Sequence, residues 1–401
     1  MQPSDFTTAS FRENPYPFYE RSRSEGPFAK LAPGILWTGQ HSLVRRLVDD
    51  RRMGRGYLPY IATLYGEEAV KQPVFQALSR MFLLMNPPAH TRPRNLLVKA
   101  FNGRKIESMR QLVQETADRL LDAFPAGGEA VDLVQAYALP LPAQIICGLL
   151  DLPPQTALEL GAAAAQLSYA FESAMLDPET LSATNAATEE LERFFSKVVD
   201  ERRAHPGNDL ISLLIAAEEN GEQLDQSEIV SNVILLFFAG HETTSNMLGN
   251  ALIALYRNPD QLSQLRANPT LMQQAMIECL RYDSSVQLAS RVALEDIDID
   301  GVTVSRDTVV FLSLGAANRD PARFLEPEKL LIERQDADNR SLAFGGGIHY
   351  CMGARLALLE LEIAVQRLFE RFPNLRLTHL EELHWRPRNT IRGVETLLAR
   401  L

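Results

Sequence analysis

The spacing of apolar positions changes character several times along this chain. Residues 1–60 mix brief three- and four-residue steps with short alternating runs at 28–31 and 34–38, which predicts small helices and strands side by side. From residue 88 to about 257 the helical step dominates. Residues 106–124 and 187–203 each carry an apolar stripe with charges opposite, the pattern of a helix with one face buried. Pro206-Gly207 and Asn220-Gly221 punctuate this stretch as turns. Beyond residue 291 the pattern alternates. Residues 296–304 and 308–312 are rich in β-branched side chains around an Asp300-Gly301 turn, and so predict a small sheet. A helix over 354–369 and short strands within 375–401 complete the chain. The expectation is a mainly α fold with a minor β lobe, helix-rich over about 88–290, with sheet elements near 28–60, 291–315 and 375–401. Without repeats, low-complexity tracts or a flexible linker, it reads as one domain over 1–401.

One helical stretch stands apart. Residues 226–258 contain no proline and predict a helix of about 50 Å at about 1.5 Å per residue. Residues 229–238 are apolar nearly all round, as in a buried helix. Ala239-Gly240-His241-Glu242-Thr243-Thr244 then interrupts that run with polar groups. Gly240 weakens the helix there, and the Thr243 hydroxyl is placed to bond back to the Ala239 carbonyl and bend it. Buried polar groups are unfavourable unless satisfied, so an acid and two hydroxyls at a weak point suggest a working site. The competing reading is a helix that surfaces here and solvates the polar run.

Composition narrows the function. Hydrophobic residues make up 46% of 401, ample for a large core. Forty Lys and Arg against 51 Asp and Glu give a net charge of −11, which opposes nucleic-acid binding. Three widely separated cysteines suit a reducing compartment without disulfides. The N-terminus has no basic segment followed by an apolar core, and no apolar run approaches the ~20 residues of a membrane span. A cytoplasmic protein with no membrane anchor is expected.

The densest chemical signal is Phe344-Gly345-Gly346-Gly347-Ile348-His349-Tyr350-Cys351-Met352-Gly353. Three glycines permit a tight turn and let backbone N–H groups approach the sulfur. Gly353 lets the next helix start close against a flat group. A thiolate holding a haem iron fits this arrangement. Most lone cysteines are small buried hydrophobes, and Cys147 and Cys279 read that way. A nucleophilic cysteine needs a base, and His349, two positions away in an extended loop, faces the opposite side. No second ligand cluster stands at zinc spacing.

The spelling Phe-x-x-Gly-x-x-x-Cys-x-Gly resembles the cysteine loop of the cytochrome P450 family, and the stretch from Ala239 to Thr243 resembles that family's oxygen-binding helix. The resemblance spans about residues 14–393. It implies a triangular helical prism around a buried haem b, with Cys351 as axial iron ligand and Phe344 and Gly353 beside it. Thr243 would hydrogen-bond dioxygen and order water, and Glu242 would relay protons. His90, Arg94, Arg291 and His349 match propionate-binding positions. Glu278 and Arg281, three apart on one helix face, would form a buried structural network with Arg323. Ala239, Val286, Gln287 and Ile391 would wall the substrate pocket together with parts of 57–84 and 167–181. Departures from the family pattern are Asn86 in place of aspartate, Ser285 in place of proline and an atypical tail over 395–401.

The activity implied is monooxygenation of an apolar small molecule such as a polyketide, macrolide or terpenoid, using O₂ and electrons from NAD(P)H. Those electrons would come through a separate ferredoxin or flavodoxin with its reductase, docking on Arg104, Lys105 and Arg110 of a monomer. A fatty acid or steroid hydroxylase is the alternative substrate reading. A haem sensor, which would need the iron but not Glu242 or Thr243, or a non-redox isomerase or dehydratase, which would turn over substrate without electrons, is the alternative class.

Overall fold

Alternating β-branched residues set the strands, and long-range pairing sets their order. The computed structural model describes residues 3–401 except 102, 126–128, 173–174, 218–222 and 336–340. The expected Asn220-Gly221 turn lies outside the described residues, as does the side chain of Arg104. The chain divides into two units, one of residues 1–54, 113–141 and 243–401, the other of 55–112 and 142–242.

The first unit carries every strand among the described residues: β1 (Ala29–Ala32), β2 (Ile35–Thr38), β3 (Met53–Gly54), β4 (Ala130–Asp132), β5 (Leu288–Ala293), β6 (Ile297–Ile299), β7 (Val302–Val304), β8 (Val309–Ser313), β9 (Arg376–Leu377) and β10 (Leu398–Arg400). Five form a sheet in the order β1-β2-β8-β5-β3, with β2 and β8 parallel and the other neighbours antiparallel. β6 and β7 make the hairpin expected around Asp300-Gly301, and both turn residues take positive φ. A third sheet, β4-β10-β9, departs from the sequence reading, which assigned only helix to the region of β4. Val131 pairs with Ala399 there, so a partner distant in sequence overrides local helical spacing.

Under the five-stranded sheet, Leu43, Val44, Leu47 and Val48 from the His41–Asp49 helix pack with Ile297, Val310, Leu312 and Leu342. Tyr19 stacks on Trp37 at 5.9 Å in a second cluster with Phe11 and Leu288.

Every regular element of the second unit among the described residues is a helix. Its longest internal helix, Pro178–Ala204, starts on an Asp177 cap whose side chain accepts from the Thr180 amide. Gln166 of the Thr156–Ser168 helix donates to the Thr184 hydroxyl at 3.0 Å, and Asn185 accepts from the Val74 amide at 3.1 Å, fixing two neighbours against it. Phe195 and Phe237 meet edge to face at 5.5 Å in the interior. The helix expected over 226–258 is present as Gln226–Arg257, and the division between units falls within it, after Glu242.

Candidate haem-thiolate site

The glycines before Cys351 are needed by their surroundings. Gly345 and Gly347 have φ of +69° and +62°, in the left-handed region. A Cβ on Gly347 would stand 2.1 Å from the Val48 carbonyl oxygen, and one on Gly346 would stand 2.6 Å from Val48 Cγ2. The loop therefore lies directly on the His41–Asp49 helix. Its backbone closes on itself, the Cys351 amide donating to the Phe344 oxygen at 3.0 Å and the Gly345 amide to the Leu342 oxygen at 2.8 Å. Asn318 anchors its start by accepting from the Leu342 amide at 2.6 Å. Residues Gly347–His349 form a 3₁₀ turn, not the extended run expected from sequence, because Gly347 supplies the reversed backbone.

Cys351 is exposed at the end of this loop, whereas Cys147 and Cys279 are buried. Burial pushes the Cys147 thiol up to about 11 and raises that of Cys279 further, which keeps both protonated. Gly353 caps the Ala354–Arg371 helix, and a Cβ there would meet nothing nearer than the Cys351 sulfur at 3.9 Å. The chain itself leaves room beside the sulfur at residue 353.

In the same unit, Arg291 lies on β5 with 3% of its surface exposed. Among the described residues its side chain makes one hydrogen bond, to the carbonyl of its neighbour Ser290, at 2.9 Å. Burial brings its guanidinium down to about 10, only partly offset by Asp49. A buried cation so short of acceptors is matched to an anionic group such as a carboxylate. The residue set therefore fits haem, with one soft axial ligand on an open loop and one buried cation for a propionate. His349 is half-buried in the loop.

In the second unit, His90 is buried immediately before the Thr91–Ala100 helix. Phe82 gathers both predicted cations there, with the His90 ring at 6.2 Å and the Arg94 guanidinium 5.6 Å from its centre. Asn86 accepts from the Arg55 amide at 2.8 Å, a role open to amide and carboxylate alike. Ala239, Gly240, His241 and Glu242 are half-buried at the end of this unit's share of the long helix. Gly240 also has a packing reason, since a Cβ there would stand 2.7 Å from Ile146 Cδ1. Thr243 is half-buried and Thr244 buried where the helix continues in the first unit.

The Cytochrome P450 family profile matches residues 65–384. This chain belongs to the cytochrome P450 family. It is 50% identical over 401 residues to cytochrome P450 133B1 of Xylella fastidiosa, covering 100% of this chain and 99% of that one. Among solved structures it is similar to P450BioI in complex with an acyl carrier protein ligated to hexadec-9Z-enoic acid, with TM-score 0.91, 33% identity, and 98% and 100% of the two chains covered. It is likewise similar to PksS, the P450 of the bacillaene polyketide synthase of Bacillus subtilis 168, with TM-score 0.88, 31% identity and 99% of each chain covered. The fold is thus the P450 fold and the protein an oxidoreductase of the P450 monooxygenase class, which works with haem iron and O₂. Among the described residues no helix is long and apolar enough to cross a membrane.

Two details of this P450 correct the sequence reading. Glu278 and Arg281 do form a buried pair on the Met272–Tyr282 helix, but the third member is Arg334, not Arg323. Arg334 Nε donates to Glu278 Oε1 at 3.1 Å, and the Leu331 amide donates to the same oxygen at 3.0 Å. Arg323 stays half-buried at the preceding turn, outside the network. The chain after Leu325 doubles back, and that reversal brings the later arginine to the carboxylate: Arg334 donates to the Leu325 carbonyl at 2.6 Å.

The second concerns the expected pocket wall. Val286 and Ile391 do meet, as an isolated antiparallel bridge. Gln287 between them has its amide committed within the fold, donating to the Ser284 carbonyl at 2.7 Å and accepting from the Tyr19 hydroxyl at 3.1 Å. Its part is structural, because its side chain is buried with both ends of the amide bonded within the fold.

Sequence reasoning also missed Asp283 and Arg392, paired at 2.9 Å. The Asp283 of Arg281-Tyr282-Asp283 and the Arg392 of Arg392-Gly393 were visible, but nothing local coupled them. Of the basic docking patch, Arg110 pairs with Glu107 at 2.7 Å, which offsets its charge, and Lys105 donates to the Asn208 carbonyl.

Proposed function

We propose that this P450 hydroxylates or epoxidises an apolar small molecule of secondary metabolism, of polyketide, macrolide or terpenoid type. It does so as a cytoplasmic monomer whose whole chain acts as one catalytic domain. The observation that carries the site assignment is Arg291, a buried cation with a single backbone acceptor in the same unit as the open Cys351 loop. Cys351 would hold the haem iron through its sulfur, with Phe344 and Gly353 flanking it. His90, Arg94, Arg291 and His349 hold the two propionates. Bound haem supplies the activation of O₂. Thr243 contributes a hydroxyl that orders water, and Glu242 passes protons inward from solvent. Ala239, Val286 and Ile391 present apolar surface to the substrate. Electrons come from NAD(P)H through a separate ferredoxin or flavodoxin and its reductase.

Similarity to a polyketide-synthase P450 supports the tailoring reading. Similarity to an enzyme captured with a fatty acyl carrier protein supports a second one, a fatty-acyl hydroxylase. Optical titration of the ferric protein with macrocyclic polyketides, steroids and long-chain fatty acids separates them, because a productive ligand shifts the haem band. A shift with macrocycles alone supports tailoring, and a shift with fatty acids alone moves the assignment to lipid chemistry. Absence of a thiolate-type haem spectrum would remove Cys351 and the proposal together.

A further inference from the structure

Away from the cysteine loop, the first unit contains a narrow cleft open to solvent. Its lining is unusual for a chain with a net charge of −11: it includes Arg12, Arg386, Arg388 and Arg392, together with Trp385 and Asn389, and no carboxylate. Cations gathered in a recess with low-dielectric walls concentrate positive potential there.

The hydrogen bonding shows which of these groups are committed to the fold. Arg392 engages all three of its nitrogens, with Nε on Asp283 at 2.9 Å and its terminal nitrogens on the Glu13 and Arg12 carbonyls. It also lies 3.5 Å over the centre of the Trp385 ring, which fixes the indole in place. Arg12 spends one bond on the Thr7 carbonyl, and Arg386 one on the Val394 carbonyl at 3.3 Å. Each guanidinium has five N–H donors, so both have donors left. The Trp385 indole N–H is buried and has no acceptor among the described residues. A buried donor without an acceptor is unfavourable by about 1–3 kcal/mol.

We infer that this cleft binds a small oxyanion, a carboxylate or phosphate group, held by Trp385 Nε1 and the terminal nitrogens of Arg12 and Arg386. Acceptor oxygens are what these donors lack, and negative charge is what the lining lacks. The inference does not depend on the haem site, so each can fail alone.

The test uses haem-loaded protein at constant ionic strength, with chloride replaced in steps by inorganic phosphate, by acetate or by decanoate. Two readouts are followed, Tm and tryptophan fluorescence. Trp385 is one of only two tryptophans, and the other, Trp37, is 1% exposed in the core. A saturable rise in Tm with a fluorescence change is expected for at least one anion. Phosphate alone identifies a phosphate site, acetate and decanoate together a carboxylate site, and decanoate alone a chain-borne carboxylate. Arg386→Gln should weaken the apparent Kd about tenfold, the usual worth of one charge-assisted hydrogen bond. Trp385→Phe should abolish the fluorescence response. No saturable response to any of the three anions, or an unchanged response in Arg386→Gln, overturns the inference.

Discussion

Glu278 grips Arg281 with two hydrogen bonds of 2.8 Å, and neither side chain has any exposed surface. Arg281 spends its remaining donors on the Asn318, Pro327 and Lys329 carbonyls, each at 2.9 Å. One helix residue thereby staples the segments that lead toward the cysteine loop, and Asn318 in turn holds the Leu342 amide.

That network predicts a ranking. Arg281→Ala leaves a carboxylate and several carbonyls buried without partners, a loss of about 3–5 kcal/mol. Arg334→Ala removes one of two cations from Glu278 and should fall between the extremes. Arg323→Ala, outside the network, should change stability by no more than about 0.5 kcal/mol. Urea unfolding monitored by circular dichroism orders the three. An Arg323→Ala loss equal to that of Arg334→Ala would contradict the geometry.

The cysteine loop allows a matched glycine test. Gly301 and Gly347 both have positive φ, but a Cβ on Gly301 meets nothing within 4 Å. Gly301→Ala should therefore show only the left-handed backbone penalty of about 1–2 kcal/mol. Gly347→Ala adds a clash with the Val48 carbonyl, so it should lose more stability and release haem faster. Thermal unfolding and haem transfer to apomyoglobin measure the two effects.

Local pattern revealed those parts of the fold whose cause is local. The strands near Trp37, the hairpin at Asp300-Gly301 and the Gln226–Arg257 helix follow from side-chain periodicity within each segment. The glycines before Cys351 were legible because glycine favours the left-handed region, as at Gly347 with φ of +62°, and leaves room for close approach. What escaped depends on distant partners. β4 exists because Val131 meets Ala399, and Arg392 is structural because Asp283 arrives from 109 residues away. Arg323 and Arg334 are chemically equal candidates for Glu278, and only the path of the intervening chain chooses between them.

Glu360 offers a pH test. Its carboxyl is buried on the Ala354–Arg371 helix with Oε2 lacking a hydrogen-bond partner, and desolvation raises its pKa well above the usual carboxylate range. The folded chain then keeps a proton that the unfolded chain releases above about pH 4.5. The stability tied to this group is complete below that pH and declines as pH rises toward the folded pKa. Glu360→Gln, which cannot ionise, should raise Tm at pH 8 and give progressively less advantage as the pH falls to 5. Parallel melting curves from pH 5 to 8 check the sign.

Arg291 separates a folding role from a cofactor role. An isolated buried cation does not stabilise a fold, and replacement by a hydrophobic side chain of similar length is often neutral or favourable. Its lowered pKa carries the same message. In haem-free protein the penalty for its charge is complete below pH 10 and is relieved as the pH rises above 10. Arg291→Met should therefore leave the haem-free protein as stable as the original, or more so. If Arg291 receives a propionate, the same change should weaken haem binding by about 2 kcal/mol, roughly 30-fold, through faster dissociation. Haem off-rates and haem-free melting curves for the two proteins decide it. Equal off-rates would return Arg291 to the fold and leave its burial to be accounted for by Asp49 and Ser290 alone.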